Sequence, residues 1–121
     1  MADHSPAFVA LVDAARQHVR EIDAHAVPQL LERRPGLRLI DVRERCEFDA
    51  GHVRDAEWIG KGIIERDIEQ HHPDRNEPLY LYCGGGYRSV LAAESLQKMG
   101  YRNVWSIAGG WRALKDLLPV A

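Results

Sequence analysis

The chain has 121 residues, 45% of them hydrophobic and 28% charged, with a net charge of −2. That length and balance build one folded domain with its own core, and they exclude a disordered chain, a bilayer-spanning chain and a polybasic binder of nucleic acid or membrane. Two cysteines in so short a chain read as free thiols, not as a disulfide framework.

The polar start, Met1-Ala2-Asp3-His4-Ser5-Pro6, lacks the basic and apolar regions of a signal peptide, so a cytoplasmic location is expected. From Pro6 to Arg20, Phe8, Val9, Leu11, Val12, Ala15 and Val19 fall at helical spacing, which predicts a helix. Residues 1–20 are read as an N-terminal helical extension and residues 21–121 as the domain proper. Glu21-Ile22-Asp23 is a short edge strand. Pro28 to Arg34 is a helix opened by a proline and stopped by Pro35-Gly36.

Leu37 to Val42 is the next strand, and a short helix within Arg43 to Ala50 ends at Gly51. Glu57 to Ile59 forms a third strand, followed by a helix from Ile63 to His71. The continuous apolar run Leu79-Tyr80-Leu81-Tyr82 suits a parallel strand buried on both faces. Ser89 to Met99 is helical, Asn103 to Ala108 is the last strand, and Trp111 to Leu118 is the last helix. Strand alternates with helix along the chain, which predicts an α/β fold whose mostly parallel five-stranded sheet is covered by helices on both faces.

The chemistry concentrates where the fourth strand ends, at Cys83-Gly84-Gly85-Gly86-Tyr87-Arg88-Ser89. Three glycines let a short loop curl with its N–H groups inward, and the following helix aims its partially positive end at the same space. One hydrogen bond to a charged group is worth about 1.5–3 kcal/mol, so one or two loop N–H bonds favour a sulfur anion. Arg88 adds a fixed charge. A lone cysteine at a strand end is commonly a small buried hydrophobe. The glycine run, the arginine and the helix start together point instead to a nucleophile.

Asp41-Val42-Arg43 also closes a strand, and ligands in such sheets bind beyond the carboxyl ends of the strands. Two readings stand: Asp41 fixes Arg88 or a loop N–H, or Asp41 and Arg43 form a solvated surface pair. Cys46 is read as an incidental thiol, with a resolving role as the rival. The six histidines show no ligand spacing, so no metal is expected. The glycine run also lacks both nucleotide-loop patterns, so it is not read as a nucleotide loop.

The sequence resembles the rhodanese family of sulfurtransferases, as a single-domain member, from about Glu21 to Leu118. Leu39-Ile40-Asp41-Val42-Arg43-Glu44 is similar to the first family signature. Glu47-Phe48 and Gly51-His52-Val53 with Ala56 are similar to the second. Cys83 to Ser89 resembles the active-site loop, and Val104 with Gly109-Gly110-Trp111 the C-terminal signature. The resemblance implies a Cys83 that carries a persulfide, with Gly84, Gly85, Gly86, Tyr87, Arg88 and Ser89 as its anion cradle and Asp41 and Arg43 in support. Related phosphatases use a loop with one more residue between cysteine and arginine; the shorter loop here suits a sulfur anion better than a phosphate.

The implied activity is sulfur transfer of the thiosulfate type, without organic or metal cofactor. The implied partners are a small sulfur-donor anion and a thiol or cyanide acceptor, with a protein acceptor also open. The rival reading is a sulfur-carrier or sensor module that works with a protein partner and turns over few small donors.

Overall fold

The computed structural model describes residues 4–121; the first three residues of the predicted N-terminal extension lie outside the described residues. Five strands, β1 (Arg20–Asp23), β2 (Ile40–Asp41), β3 (Glu57–Trp58), β4 (Leu79–Tyr82) and β5 (Val104–Ala108), form one sheet in the order β1-β5-β4-β2-β3. Every pairing is parallel. Among the described residues six α-helices accompany it, α1 (Pro6–Arg16), α2 (Val27–Arg33), α3 (Arg45–Ala50), α4 (Ile64–His71), α5 (Arg88–Lys98) and α6 (Gly110–Leu114), with a short 3-10 turn at Ala24–Ala26.

The two-residue period of β4 divides the core. Leu79, Leu81 and Cys83 enter one apolar layer, with Val12 and Ala15 of α1, Ile64 and Ile68 of α4, and Ala92, Ala93 and Leu96 of α5. Tyr80 and Tyr82 enter the other, with Val27 of α2 and Leu114 of α6. A strand apolar on every residue therefore serves both layers. The predicted α/β class and the helices on both faces stand, and the sheet is wholly parallel.

The chain runs outward from β2 to β3, then returns to β4 and proceeds to β5 on the other side. The strand order thus reverses between β4 and β2, which opens a crevice beyond their carboxyl ends. Cys83 follows β4 directly at that crevice.

Several boundaries move. The first helix stops at Arg16, not Arg20, because Arg20 already pairs with Trp105 in the sheet. The strand predicted over Leu37 to Val42 has regular pairing only at Ile40–Asp41, although Val42 N–H still donates to the Tyr82 carbonyl at 3.0 Å. The last helix begins at Gly110 and ends at Leu114, and turns carry the chain on to Leu118. No helix among the described residues is long and apolar enough to cross a membrane.

Candidate active site

Cys83 is buried, at 1% exposure. The loop curls so that the Gly86 N–H donates to Sγ at 3.2 Å and the Ser89 N–H, in the first turn of α5, at 3.4 Å. The Ser89 hydroxyl lies 3.4 Å from Sγ and 2.7 Å from the Ser106 hydroxyl on β5. Hydrogen bonds to an ionised acceptor are about twice as strong as neutral ones, so this set of donors stabilises an anionic sulfur. Gly86 has φ +99°, and a Cβ there would sit 3.3 Å from the Gly109 nitrogen, so glycine is required.

A second chain segment grips the loop from behind. The Trp111 N–H donates to the Cys83 carbonyl at 2.7 Å and the Arg112 N–H to the Gly84 carbonyl at 3.1 Å. This contact is possible only because residue 110 lacks a side chain: a Cβ there would lie 2.5 Å from the Cys83 carbonyl oxygen.

Arg88 does not project alone. Both oxygens of Glu47 on α3 accept from its guanidinium, at 2.7 and 3.1 Å. That fork holds the Glu47 carboxyl below the usual carboxylate range and the Arg88 guanidinium above its ordinary value. Glu47 is itself placed by a capping box with Glu44 at the start of α3.

Asp41 reaches neither Arg88 nor the loop, which corrects the first reading of it. It is fully buried and accepts from the Arg43 backbone N–H at 2.9 Å and from the Arg43 guanidinium at 2.8 Å. The solvated-pair reading also fails, since Arg43 is only 3% exposed. Arg43 continues to the Gly51 carbonyl at 2.7 Å and lies 4.8 Å from the centre of the Trp111 ring. The pair therefore meets the loop indirectly, through the residue whose N–H holds the Cys83 carbonyl. Burial and the neighbouring Asp41 carboxylate push the Tyr82 hydroxyl far up.

In front of Cys83 lies a cavity of about 320 Å³. Gly84, Gly85, Tyr87, Arg88 and Arg112 line it, and so do His4 and Phe8 from the N-terminal segment. Sequence reasoning named Glu47 only within a signature and gave it no site role, and it missed Arg112, His4 and Phe8. Phe8 sat on an apolar stripe that pointed only to a helix, and Arg112 carried no signal beyond its place after Gly109-Gly110-Trp111. Cys46 is exposed and unbonded to Cys83, with no place in this cavity. Among the described residues no group of three or more His, Cys, Asp or Glu side chains is placed to hold a metal ion.

Comparison with known proteins gives the same outline. The rhodanese-like domain model matches residues 23–117. The thiosulfate sulfurtransferase PspE of Escherichia coli is 37% identical over 78 residues, covering 64% of this chain and 71% of that protein. The thiosulfate sulfurtransferase GlpE of Vibrio cholerae is 28% identical over 96 residues, covering 79% and 88%. YqhL, an uncharacterized Bacillus subtilis protein, is 37% identical over 75 residues, and this chain spans only 58% of its length.

Among solved structures, the rhodanese-like domain of an Anabaena protein superposes with a TM-score of 0.73 at 25% identity, over 84% of this chain and 77% of that one. A protein of unknown function from Rhodopseudomonas palustris, described as a possible tyrosine phosphatase, covers 100% of this chain and 99% of its own at a TM-score of 0.81 and 24% identity. That likeness speaks for the fold alone. With the family model spanning most of the sequence and the parallel sheet shared as well, the chain belongs to the rhodanese-like domain family.

Proposed function

We propose that the protein is a sulfurtransferase in which Cys83 carries the sulfur. The observation that carries the reading is a buried cysteine sulfur that accepts two backbone N–H bonds and borders an open cavity. The thiolate attacks the sulfane sulfur of thiosulfate or a related donor. The donor S–S bond breaks, sulfite leaves with its electron pair, and a Cys83 persulfide remains. A thiophilic acceptor, cyanide or a thiol, then takes the outer sulfur and restores the thiolate. Gly86, Ser89 and the start of α5 stabilise the sulfur anion in both states. Gly84, Gly85, Tyr87 and Arg88 border the donor, and Asp41 and Arg43 brace Trp111 behind the loop.

Residues 1–20 are proposed as an extension to a domain over 21–121, in keeping with a family match that begins at residue 23. A second reading, a sulfur carrier serving a protein partner, gains support from the Glu47–Arg88 pair, because a guanidinium already held by a carboxylate attracts small dianions weakly. YrkF of Bacillus subtilis, provisionally named a sulfur carrier protein, is 29% identical over 94 residues, and this chain spans 50% of it.

The test is direct. After incubation with thiosulfate and removal of the donor, the intact mass gains one sulfur, peptide mapping places it on Cys83, and cyanide releases it as thiocyanate. Cys83→Ser abolishes both the adduct and turnover, and Cys46→Ser keeps both. Turnover by the Cys83→Ser variant overturns the assignment. A stable adduct without turnover on any small acceptor favours the carrier.

A further inference from the structure

One wall of the cavity is aromatic: Tyr87 of the loop joins His4 and Phe8 from outside the family-matched region. The His4 ring centre is 4.3 Å from that of Tyr87 and 5.3 Å from that of Phe8, and Phe8 and Tyr87 are 6.1 Å apart. The wall is held in place at both ends of α1. The Ser5 side chain caps the helix by accepting from the Phe8 N–H. At the other end the Arg16 guanidinium donates to the Gly86 carbonyl at 3.3 Å and lies 5.0 Å from the centre of the Tyr87 ring.

The size and the aromatic lining of the site exceed what a small inorganic anion uses. Water takes about 30 Å³ in the liquid, so a cavity of about 320 Å³ is far roomier than thiosulfate needs. Arg88, beside the sulfur, already has its charge shared with Glu47 at 2.7 Å. Arg112 also lines the cavity, beside Gly85, so the anionic end of a donor meets cationic groups there and the aromatic side chains are left for an apolar body.

We infer that His4, Phe8 and Tyr87 seat an apolar, aromatic group of the sulfur donor, so that this site favours organic sulfane-sulfur donors with an aromatic body over those with a small one. The inference rests on the sulfur-transfer reading above. With an organic thiosulfonate the Cys83 thiolate attacks the outer sulfur, the S–S bond breaks, and the sulfinate leaves with the bonding pair. One negative charge departs on the sulfinate and one stays on the persulfide, so the step balances without a further reagent. The aromatic group rests on the wall while its sulfur points at Cys83.

The test compares benzenethiosulfonate with methanethiosulfonate as donors to cyanide, reading thiocyanate. The quantity of interest is the ratio of the two kcat/KM values, which is independent of the folded fraction of each preparation. Phe8→Ala is expected to lower the benzene-to-methane ratio about tenfold. Phe8→Leu keeps an apolar side chain at the position and lowers it less. Leu11→Ala, on the same helix but exposed, leaves it unchanged. Ratios for both Phe8 variants within about twofold of the wild type overturn the inference and leave sulfur transfer standing. Absence of turnover with either thiosulfonate in a wild type that turns over thiosulfate overturns this inference alone; absence of turnover with thiosulfate as well, and of any sulfur adduct on Cys83, overturns the sulfur-transfer reading and this inference with it.

Discussion

Two groups compete for the Arg88 guanidinium: the Glu47 carboxylate that holds it and any anionic donor that approaches Cys83. Each partner of the pair is about one-third exposed, and pairs of that kind contribute about 0.5–1 kcal/mol after solvent screening. Glu47→Gln keeps an oxygen to accept the Glu44 backbone N–H but removes the charge. The kcat/KM for thiosulfate in that variant is expected to rise about two- to fivefold, more at low salt than at high salt. Arg88→Ala in the same assay lowers it. If neither substitution moves kcat/KM for thiosulfate, Arg88 takes no part in binding the donor.

At the scale of elements, the site is a junction of three: the end of β4, the first turn of α5 and the start of α6. Gly110 is the point where α6 meets the loop, and it has φ +51°. In Gly110→Ala the new methyl meets the Cys83 carbonyl oxygen and the Gly84 backbone, at 2.5 and 2.9 Å before any adjustment. Overpacking of this kind costs about 1–3 kcal/mol. The expected result is a Tm lower by on the order of 5 °C together with a loss of at least about tenfold in kcat/KM, since the loop must shift. An unchanged Tm and unchanged turnover would show that α6 does not hold the loop.

The same junction explains what the sequence discloses. β4 and α5 are legible because each carries its own signal, a four-residue apolar run and an alanine-rich stripe with helical period. The cysteine, the glycines and the helix start are contiguous, so the cradle is legible too. The Glu47–Arg88 pair is not, because Glu47 belongs to α3 and meets Arg88 only once β2 is laid beside β4. Asp41 was misassigned for a related reason. Its nearest cation is two residues away, and the turn that folds Arg43 back onto it leaves no periodic trace. The early stop of α1 follows from the pairing of Arg20 with β5, a contact between distant parts of the chain.

For the whole molecule, the site occupies one end of the sheet and a polar clasp the other. His72, just after α4, contacts Glu57 at the start of β3 at 2.7 Å and Glu77 before β4 at 2.9 Å. The Glu57 contact, with a smaller part from Glu77, raises the His72 imidazole above its ordinary value. The same contact lowers the Glu57 carboxyl. A raised imidazole stabilises the fold fully below its unfolded value of about 6.5, and that contribution fades as pH rises through the folded value. A lowered carboxyl contributes above about 4.5 and fades as pH falls through its folded value. The clasp is therefore strongest between the two. His72→Gln is expected to cost on the order of 1 kcal/mol at about pH 5.5 and much less at about pH 9, read by denaturant unfolding. An equal cost at both values would show that His72 acts only as a neutral hydrogen-bonding group.

The grip of α6 on the loop also sets when the site can exist. A ribosome delivers Cys83 well before it delivers Trp111, and β5 separates them. Until β5 inserts between β1 and β4, the apolar strand that leads to Cys83 has one unpaired edge, and neither Trp111 nor Arg112 is present to fix the carbonyls of Cys83 and Gly84. The carbonyls behind Cys83 are therefore fixed only when β5 and α6, residues 104–114, have been synthesised and docked, so the backing of the loop is completed late, after the strand that leads into it.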